Sequence, residues 1–121
     1  MLIRILHVDD DADFLKCSKR ILEMHESSFK IETASSVKEA LQKIRQKPYD
    51  VIVAEYRMPE RNGLDLLKEL RNGGNDVPFI LFTGKGREEV AIEALNLGAD
   101  QYINKIGKTE AVYSELAHSI R

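Results

Sequence analysis

The sequence predicts an α/β fold with a single five-stranded parallel sheet, doubly wound so that helices cover both faces. Short apolar runs alternate five times with helical segments, which is typical of repeated strand–helix units. The central run, Val51–Ala54, is apolar without polar alternation, as a strand covered on both faces requires. A chain of 121 residues suits one domain with its own core. We therefore expect residues 1–121 to form a single domain.

The first half of the chain contains three predicted strands and two predicted helices. The strands are expected at Leu2–Val8, Phe29–Ala34 and Val51–Ala54. The first helix runs from about Ala12 to His25, because its apolar residues recur at helical spacing. Ser36 followed by Glu39 predicts a capping box at the start of the second helix, and Pro48 ends that region.

The second half continues the alternation with three helices and two strands. Leucines at positions 64, 67 and 70 form the apolar stripe of the third helix, which follows an Asn-Gly turn. The remaining elements are predicted at Val77–Phe82 (strand), Arg87–Leu97 (helix), Gln101–Asn104 (strand) and Thr109–Ile120 (helix).

Composition excludes several classes of function. Lys and Arg number 18 against 20 Asp and Glu, and this net charge of -2 gives no field for holding nucleic acid or an anionic membrane. No apolar run approaches the roughly 18 residues of a membrane span, and no signal peptide is visible. Cys17 is alone, which excludes a disulfide framework, and we expect it to be a buried small hydrophobe. His7 is expected to be a hydrogen-bonded core histidine. A cytoplasmic protein, or a domain of one, is predicted.

Polar groups follow four of the five predicted strands directly. Asp9 and Asp10 follow the first strand, Glu55 the third, Thr83 the fourth and Lys105 the fifth. The carboxyl ends of parallel strands meet at one edge of the sheet, where ligands bind. Three crowded carboxylates need a cation, and hard oxygen ligands suit Mg²⁺, whereas a hydroxyl and an ammonium suit a phosphoryl group. The alternative is purely structural: Asp10 caps the first helix and Lys105 neutralises Glu55.

Several motifs carry a resemblance to a known family over the whole chain. They are Val8-Asp9-Asp10-Asp11, Met58-Pro59 with Asn62-Gly63-Leu64, Thr83-Gly84, and the run from Gly98 to Lys105. In this order and spacing the sequence resembles the receiver domain of two-component response regulators. The resemblance implies a flavodoxin-like (βα)5 fold with strand order 2-1-3-4-5 and a role in phosphorelay signal transduction.

The resemblance also implies roles for individual residues. Mg²⁺, a weakly bound cofactor here, would be held by Asp9, Asp10, the acceptor at position 55 and the backbone carbonyl of Arg57. Thr83, Gly84 and Lys105 would form the phosphoryl pocket. Tyr102 resembles the switch aromatic that turns inward when Thr83 moves toward the phosphate.

Two positions depart from the family pattern. The phosphoacceptor is an Asp in the family, whereas this chain has Glu55. The added methylene moves the carboxylate by roughly 1.5 Å, and misplacements of about 1 Å can cost on the order of 100-fold in rate. We therefore expect a domain that is poorly phosphorylated or not phosphorylated, with Glu55 imitating part of the phosphorylated state. The family Lys-Pro is replaced by Lys105-Ile106, so a trans peptide is expected.

The predicted output is a surface rather than catalytic turnover. By resemblance it comprises helix 4, strand 5 and helix 5, and its candidate contacts are Arg87, Ala91, Tyr102, Asn104 and Lys108. The expected partner is a histidine kinase, a phosphotransfer domain, an adjoining output or sensor domain, or a second copy in a homodimer. The domain resembles a module excised from a longer signalling protein.

Three other functions stay open at this stage. One is the receiver domain of a hybrid sensor histidine kinase that still responds to phosphoryl donors. Another is a small Mg²⁺-dependent phosphohydrolase of the haloacid-dehalogenase type, against which the Asp9–Asp13 segment speaks because it lacks the usual threonine or valine. The third is a scaffold that binds neither metal nor phosphate.

Overall fold

A computed structural model describes residues 1–84 and 88–121, without the side chain of Glu88. Arg87, a predicted contact residue and the predicted first residue of the fourth helix, lies outside these described residues. Statements about absent features below refer to the described part of the chain.

The described elements alternate strictly between strands and helices. They are β1 (Ile3–Val8), α1 (Ala12–His25), β2 (Phe29–Ala34), α2 (Val37–Gln46), β3 (Val51–Ala54), α3 (Gly63–Asn72), β4 (Phe79–Thr83), α4 (Glu88–Asn96), β5 (Gln101–Asn104) and α5 (Thr109–Ile120). All paired strands are parallel, and the five-stranded sheet has the order β2-β1-β3-β4-β5. The predicted fold class and strand order are confirmed.

Helices cover both faces of the sheet and enclose two apolar layers. One layer contains residues of α2, α3 and α4, and the other contains residues of α1 and α5. Strand β3 supplies both layers, because Ile52 and Ala54 face the first while Val51 and Val53 face the second. This two-sided burial explains the absence of polar alternation in β3.

The start of β4 differs from its prediction. The strand begins at Phe79 rather than Val77, because its ladder to β3 opens with the pair Ile52 and Phe79. Pro78 has no N–H to donate and lies before the ladder, where its carbonyl accepts a hydrogen bond of 2.9 Å from the Ile52 N–H.

Helix caps were predicted in part. Ser36 caps α2 by accepting from the Glu39 N–H at 3.1 Å, as expected. The Glu39 carboxylate, however, accepts from the N–H of Ser35 at 2.8 Å instead of from Ser36, so the predicted box is incomplete. A full capping box occurs at the start of α3, between Asn62 and Asp65.

Two predictions for single residues, His7 on β1 and Cys17 on α1, can be compared with the structure. His7 is buried, and its Nε2 lies 2.7 Å from Ser18 Oγ, which confirms a hydrogen-bonded core histidine. The prediction that Cys17 is buried is wrong, since it is exposed. The buried residues of α1 are Leu15, Ser18 and Leu22, and position 17 falls outside that stripe.

Among the described helices, none has both the length and the apolar character needed to cross a lipid bilayer.

Candidate functional site

Four predicted site residues meet at the carboxyl edge of the sheet. Asp9 and Glu55 directly follow β1 and β3, Thr83 is the last residue of β4, and Lys105 directly follows β5. The Lys105 ammonium lies 2.7 Å from Asp9 Oδ2 and 2.7 Å from Glu55 Oε1, so one cation bridges both carboxylates. Asp9, Glu55 and Thr83 are all buried. The structure therefore brings residues from four strand ends into one polar cluster.

Glu55 is held by donors on several sides. Its Oε1 accepts from Lys105, and its Oε2 accepts from the backbone N–H groups of Tyr56 at 2.6 Å and Arg57 at 3.2 Å. The Thr83 side chain also hydrogen bonds to this carboxylate. Burial alone would raise the pKa of Glu55, but the hydrogen bonds from Lys105 and Thr83 outweigh it, and the pKa is lowered from its ordinary value.

Asp9 is less well compensated than Glu55. Its Oδ1 accepts from the Asp11 N–H at 3.0 Å, and its Oδ2 accepts from Lys105. Burial nevertheless dominates and raises the pKa of Asp9, because these two donors offset only part of the desolvation. Burial would lower the pKa of Lys105, but the hydrogen bonds that its ammonium donates to Asp9 and Glu55 raise the pKa overall. Lys105 is therefore charged in the cluster.

The first residue of α3, Gly63, packs closely against the backbone carbonyl of Glu55. A Cβ atom placed on Gly63 would lie 2.3 Å from the Glu55 carbonyl oxygen, so only glycine fits at this position. The Gly63 N–H donates to the Tyr56 carbonyl at 2.9 Å, which ties the helix start to the segment after the acceptor. The Asn-Gly pair noted in the sequence is thus a packing requirement of the site.

Lys105 is directed by its backbone and by an aromatic ring. The Lys105 N–H donates to the Thr83 carbonyl at 3.0 Å, and the Ile106 N–H donates to Asn104 Oδ1 at 2.7 Å. No peptide bond in the described residues is cis, as expected for Lys105-Ile106. The ammonium lies 4.0 Å from the centroid of the Phe14 ring. Phe14 was not predicted as a site residue; its position near the start of α1, four residues after Asp10, was the available signal.

Gly84 and Tyr102 lie beside the cluster. A Cβ on Gly84 would approach the Lys105 side chain to 3.8 Å, so Gly84 packs against that side chain. Tyr102 packs its half-buried ring against the apolar layer formed by α2, α3 and α4. Its hydroxyl oxygen is buried without a hydrogen-bond partner among the described residues. Burial, followed by the negative charge of Glu55, raises the pKa of Tyr102.

Asp10 and Arg57 occupy a different part of the edge. Both border an open cavity of about 460 Å³, which Asn62 and Val90 also line. Asp10 is exposed. It does not cap α1, as the structural alternative required, because the cap is Asp11, whose Oδ1 accepts from the Phe14 N–H at 3.0 Å.

The predicted Mg²⁺ ligands are not gathered into one coordination group. Among the described residues, no three or more His, Cys, Asp or Glu side chains converge on a point that could hold a metal ion. Asp9 and Glu55 already accept from Lys105 and from backbone N–H groups, while Asp10 faces solvent. This arrangement does not fit a preformed Mg²⁺ site. The ligand set Asp9, Asp10, Glu55 and the Arg57 carbonyl stays a prediction.

A flavodoxin-like sheet with an acidic pair, a central carboxylate, a hydroxyl and an ammonium at its carboxyl edge defines a class of phosphoryl-responsive signalling domains. The chain belongs to the response regulator receiver domain family, whose model matches residues 5–117. Receiver domains act in two-component phosphorelay signalling. They are signalling modules rather than classical enzymes, generally bind Mg²⁺ at the phosphorylation site, and interact with histidine kinases and output domains.

Individual relatives agree with the family assignment. The response regulator SaeR of Staphylococcus aureus strain USA300 is 36% identical over 104 residues, covering 86% of this chain and 44% of the relative. The chain thus spans less than half the length of the curated relatives it matches.

Solved structures of receiver domains are also similar to this chain. A CheY-like receiver domain protein from Methanospirillum hungatei JF-1 superposes with a TM-score of 0.85 at 29% identity, covering 99% of this chain and 94% of the other. The receiver domain of the Francisella response regulator 1452 gives a TM-score of 0.84 at 30% identity, covering 98% and 95%.

Proposed function

We propose that this receiver domain is an interaction module whose signalling state is independent of phosphorylation, with Glu55 standing in for the phosphorylated acceptor. The observation that carries this proposal is that the Glu55 carboxylate engages Lys105, at 2.7 Å, and Thr83 together. These are the two side chains that the family resemblance assigns to the phosphoryl group. A carboxylate has one negative charge fewer than a phosphoryl group and no tetrahedral oxygens, so the imitation is partial.

The position of Tyr102 supports the same proposal. Its ring packs inward and its hydroxyl oxygen is buried, near enough to Glu55 for the carboxylate charge to influence its pKa. An inward aromatic together with a Thr83 side chain directed to position 55 is the combination that the resemblance links to the phosphorylated state. Glu55 would hold that combination without a phosphoryl donor.

The environment of Glu55 also opposes its phosphorylation. An acceptor must present an oxygen lone pair to the phosphorus atom. Oε2 accepts from two backbone N–H groups, which occupies both of its lone pairs, so attack would fall to Oε1, which already accepts from Lys105. The extra methylene adds a misalignment relative to the aspartate of the family.

We further propose that Mg²⁺ binds this chain only weakly. The Lys105 ammonium already compensates Asp9 and Glu55, so a divalent cation gains less from these carboxylates than it would from an uncompensated pair. Asp9, Asp10, Glu55 and the Arg57 carbonyl are the ligands we assign to it. Turnover of a phosphate substrate is not part of this proposal.

Incubation with acetyl phosphate and Mg²⁺, followed by intact-mass measurement, tests the acceptor proposal. We expect no phosphoryl adduct on the wild-type protein and one adduct on Glu55→Asp. Glu55→Gln is the matched control, since it keeps the side-chain length and removes the carboxylate. A stable acyl phosphate on Glu55 of the wild-type protein would refute phosphorylation independence.

The output surface that we propose is formed by α4, β5 and α5. Ala91, Tyr102, Asn104 and Lys108 belong to it, and α4 adds two exposed apolar side chains, Ile92 and Leu95. A histidine kinase, a phosphotransfer domain, an adjoining output or sensor domain, or a second copy would dock there. We propose no nucleic-acid or membrane contact for this domain and a cytoplasmic location.

We also propose that residues 1–121 are one receiver domain of a longer signalling protein. The support is that the curated relatives are more than twice as long as the segment they share with this chain.

A further inference from the structure

Phe14 lies beneath the charged end of Lys105. The ammonium is 4.0 Å from the centroid of the Phe14 ring, and Phe82 lies farther away at 5.7 Å. A cation within about 6 Å of an aromatic face is attracted by the negative charge density of the ring, and removal from water strengthens the attraction. The Lys105 side chain is only 18% exposed, so the contact is largely desolvated.

The start of α1 places this ring and fixes one of the carboxylates. The Asp11 N–H donates to Asp9 Oδ1 at 3.0 Å, and Asp11 Oδ1 in turn accepts from the Phe14 N–H at 3.0 Å. Asp11, the N-cap of α1, therefore positions both the Asp9 carboxylate and the Phe14 ring. Both of these groups contact the Lys105 ammonium, so the first turn of α1 is linked to the ion cluster.

Neighbouring rings hold Phe14 in its orientation. His7 packs edge-on against it with centroids 6.0 Å apart, and Phe82 lies 6.2 Å away on another side. These ring contacts fix the Phe14 side chain with its face 4.0 Å from the Lys105 ammonium.

We propose that Phe14 is a positioning residue whose aromatic face holds the Lys105 ammonium in its bridge between Asp9 and Glu55. The backbone hydrogen bonds of Lys105 fix only the base of its side chain. The Phe14 ring restricts the ammonium at the other end. The consequence for signalling rests on the proposed function, because it requires that the Lys105–Glu55 contact maintain the output state.

Trace acetylation of the lysines in the folded protein tests the proposal. The full chain is treated briefly with an N-hydroxysuccinimide acetate ester at constant pH, and mass spectrometry of peptides compares Lys105 with the exposed Lys30. In Phe14→Leu, which keeps an apolar side chain but has no ring, we expect Lys105 to react about fivefold faster relative to Lys30. Phe14→Tyr retains the ring and should stay within about twofold of wild type.

Ile21→Ala provides the matched control. Ile21 lies on the same helix and packs, like Phe14, against the apolar layer of α1 and α5. The Ile21→Ala substitution weakens that packing but leaves the Phe14 ring next to Lys105. We therefore expect the reactivity of Lys105 relative to Lys30 to stay unchanged. Equal acceleration in Phe14→Leu and Ile21→Ala, or none in Phe14→Leu, would overturn the proposal.

A measurement on the wild-type protein covers the case in which Phe14→Leu does not fold. The ε-methylene protons of Lys105 should be shifted upfield by the ring current and show nuclear Overhauser contacts to the Phe14 ring protons. Random-coil shifts without such contacts would also overturn the proposal.

Glu55→Gln separates this proposal from the proposed function. If it accelerates Lys105 acetylation while Phe14→Leu does not, the ion pair stands and the role of Phe14 fails. If Phe14→Leu accelerates acetylation and wild-type Glu55 is phosphorylated, Phe14 keeps its role and phosphorylation independence fails.

Discussion

The carboxyl edge of the sheet has two unlike halves. The closed half contains Asp9, Glu55, Thr83 and Lys105, which are largely buried and bonded to one another. The open half is the cavity bordered by Asp10 and Arg57, where Asp10 is exposed.

Asp9 and Asp10 are neighbours in sequence but lie in different halves. Asp9 continues the path of β1, with its N–H donating to the Ala34 carbonyl of β2 at 3.0 Å, and its side chain meets Lys105. Adjacent carboxylates of one motif therefore differ in their surroundings, since Asp9 is buried against an ammonium and Asp10 is exposed. The closed half carries its own cation, Lys105, whereas the open half exposes the Asp10 carboxylate beside a cavity.

The largest effect should come from removing the cation of the closed half. Lys105→Met leaves Asp9 and Glu55 facing each other without compensation, and breaking such a pair costs about 3 kcal/mol of unfolding free energy. Urea denaturation measures the loss. Lys68→Met is the control, because its pair with Glu93 is 3.9 Å long and exposed and should contribute less than about 0.5 kcal/mol. Equal losses in both variants would contradict the distinction between the halves.

His7, beneath the closed half, should make stability depend on pH. Its pKa is lowered to about 4 in the folded protein, so the unfolded chain binds more protons between its ordinary value of 6.5 and 4. Stability is therefore lost as the pH falls through this window, by up to about 3 kcal/mol in total. Denaturation at stepwise pH values measures the slope, and His7→Gln should flatten it. An unchanged slope in His7→Gln would assign the dependence to other groups.

The two carboxylates of the closed half should respond unequally to neutralisation. The pKa of Glu55 is lowered, so its charge stabilises the fold above its unfolded pKa, and Glu55→Gln should cost about 1–2 kcal/mol at neutral pH. The pKa of Asp9 is raised, so its charge is a net burden, and Asp9→Asn should cost less than about 0.5 kcal/mol. Thermal and urea denaturation of the two variants side by side check this order, which the reverse result would contradict.

The smallest effect should come from the open half. Asp10→Asn alters an exposed carboxylate and should change the unfolding free energy by less than about 0.5 kcal/mol. The same urea experiment measures it, beside Lys105→Met. A loss comparable to that of Lys105→Met would place Asp10 in the closed half.

Much of this fold was predictable from the sequence, for identifiable reasons. The short uninterrupted apolar run of β3 is typical of a strand with two covered faces, and parallel strands then bring their carboxyl ends to one edge. This is why Asp9, Glu55, Thr83 and Lys105 could be assigned to a common cluster from residues nearly a hundred positions apart.

The missed features depend on side-chain directions that spacing does not encode. The reach of Glu55 to the N–H groups of Tyr56 and Arg57, and the contact of Phe14 with Lys105, require coordinates. The error at Cys17 has a different origin, since burial was expected from the residue type alone, whereas position 17 lies outside the buried stripe of Leu15, Ser18 and Leu22.

The most direct test of the central claim is an NMR titration with beryllofluoride and Mg²⁺, in which wild type and Glu55→Asp are compared at the Thr83 and Tyr102 resonances. Stand-in action by Glu55 predicts small changes in the wild-type spectrum, whereas Glu55→Asp should start from different shifts and move toward the wild-type positions as the phosphoryl analogue binds. Large ligand-induced shifts in the wild-type protein, or ligand-free Glu55→Asp resonances that already coincide with those of wild type, would contradict it.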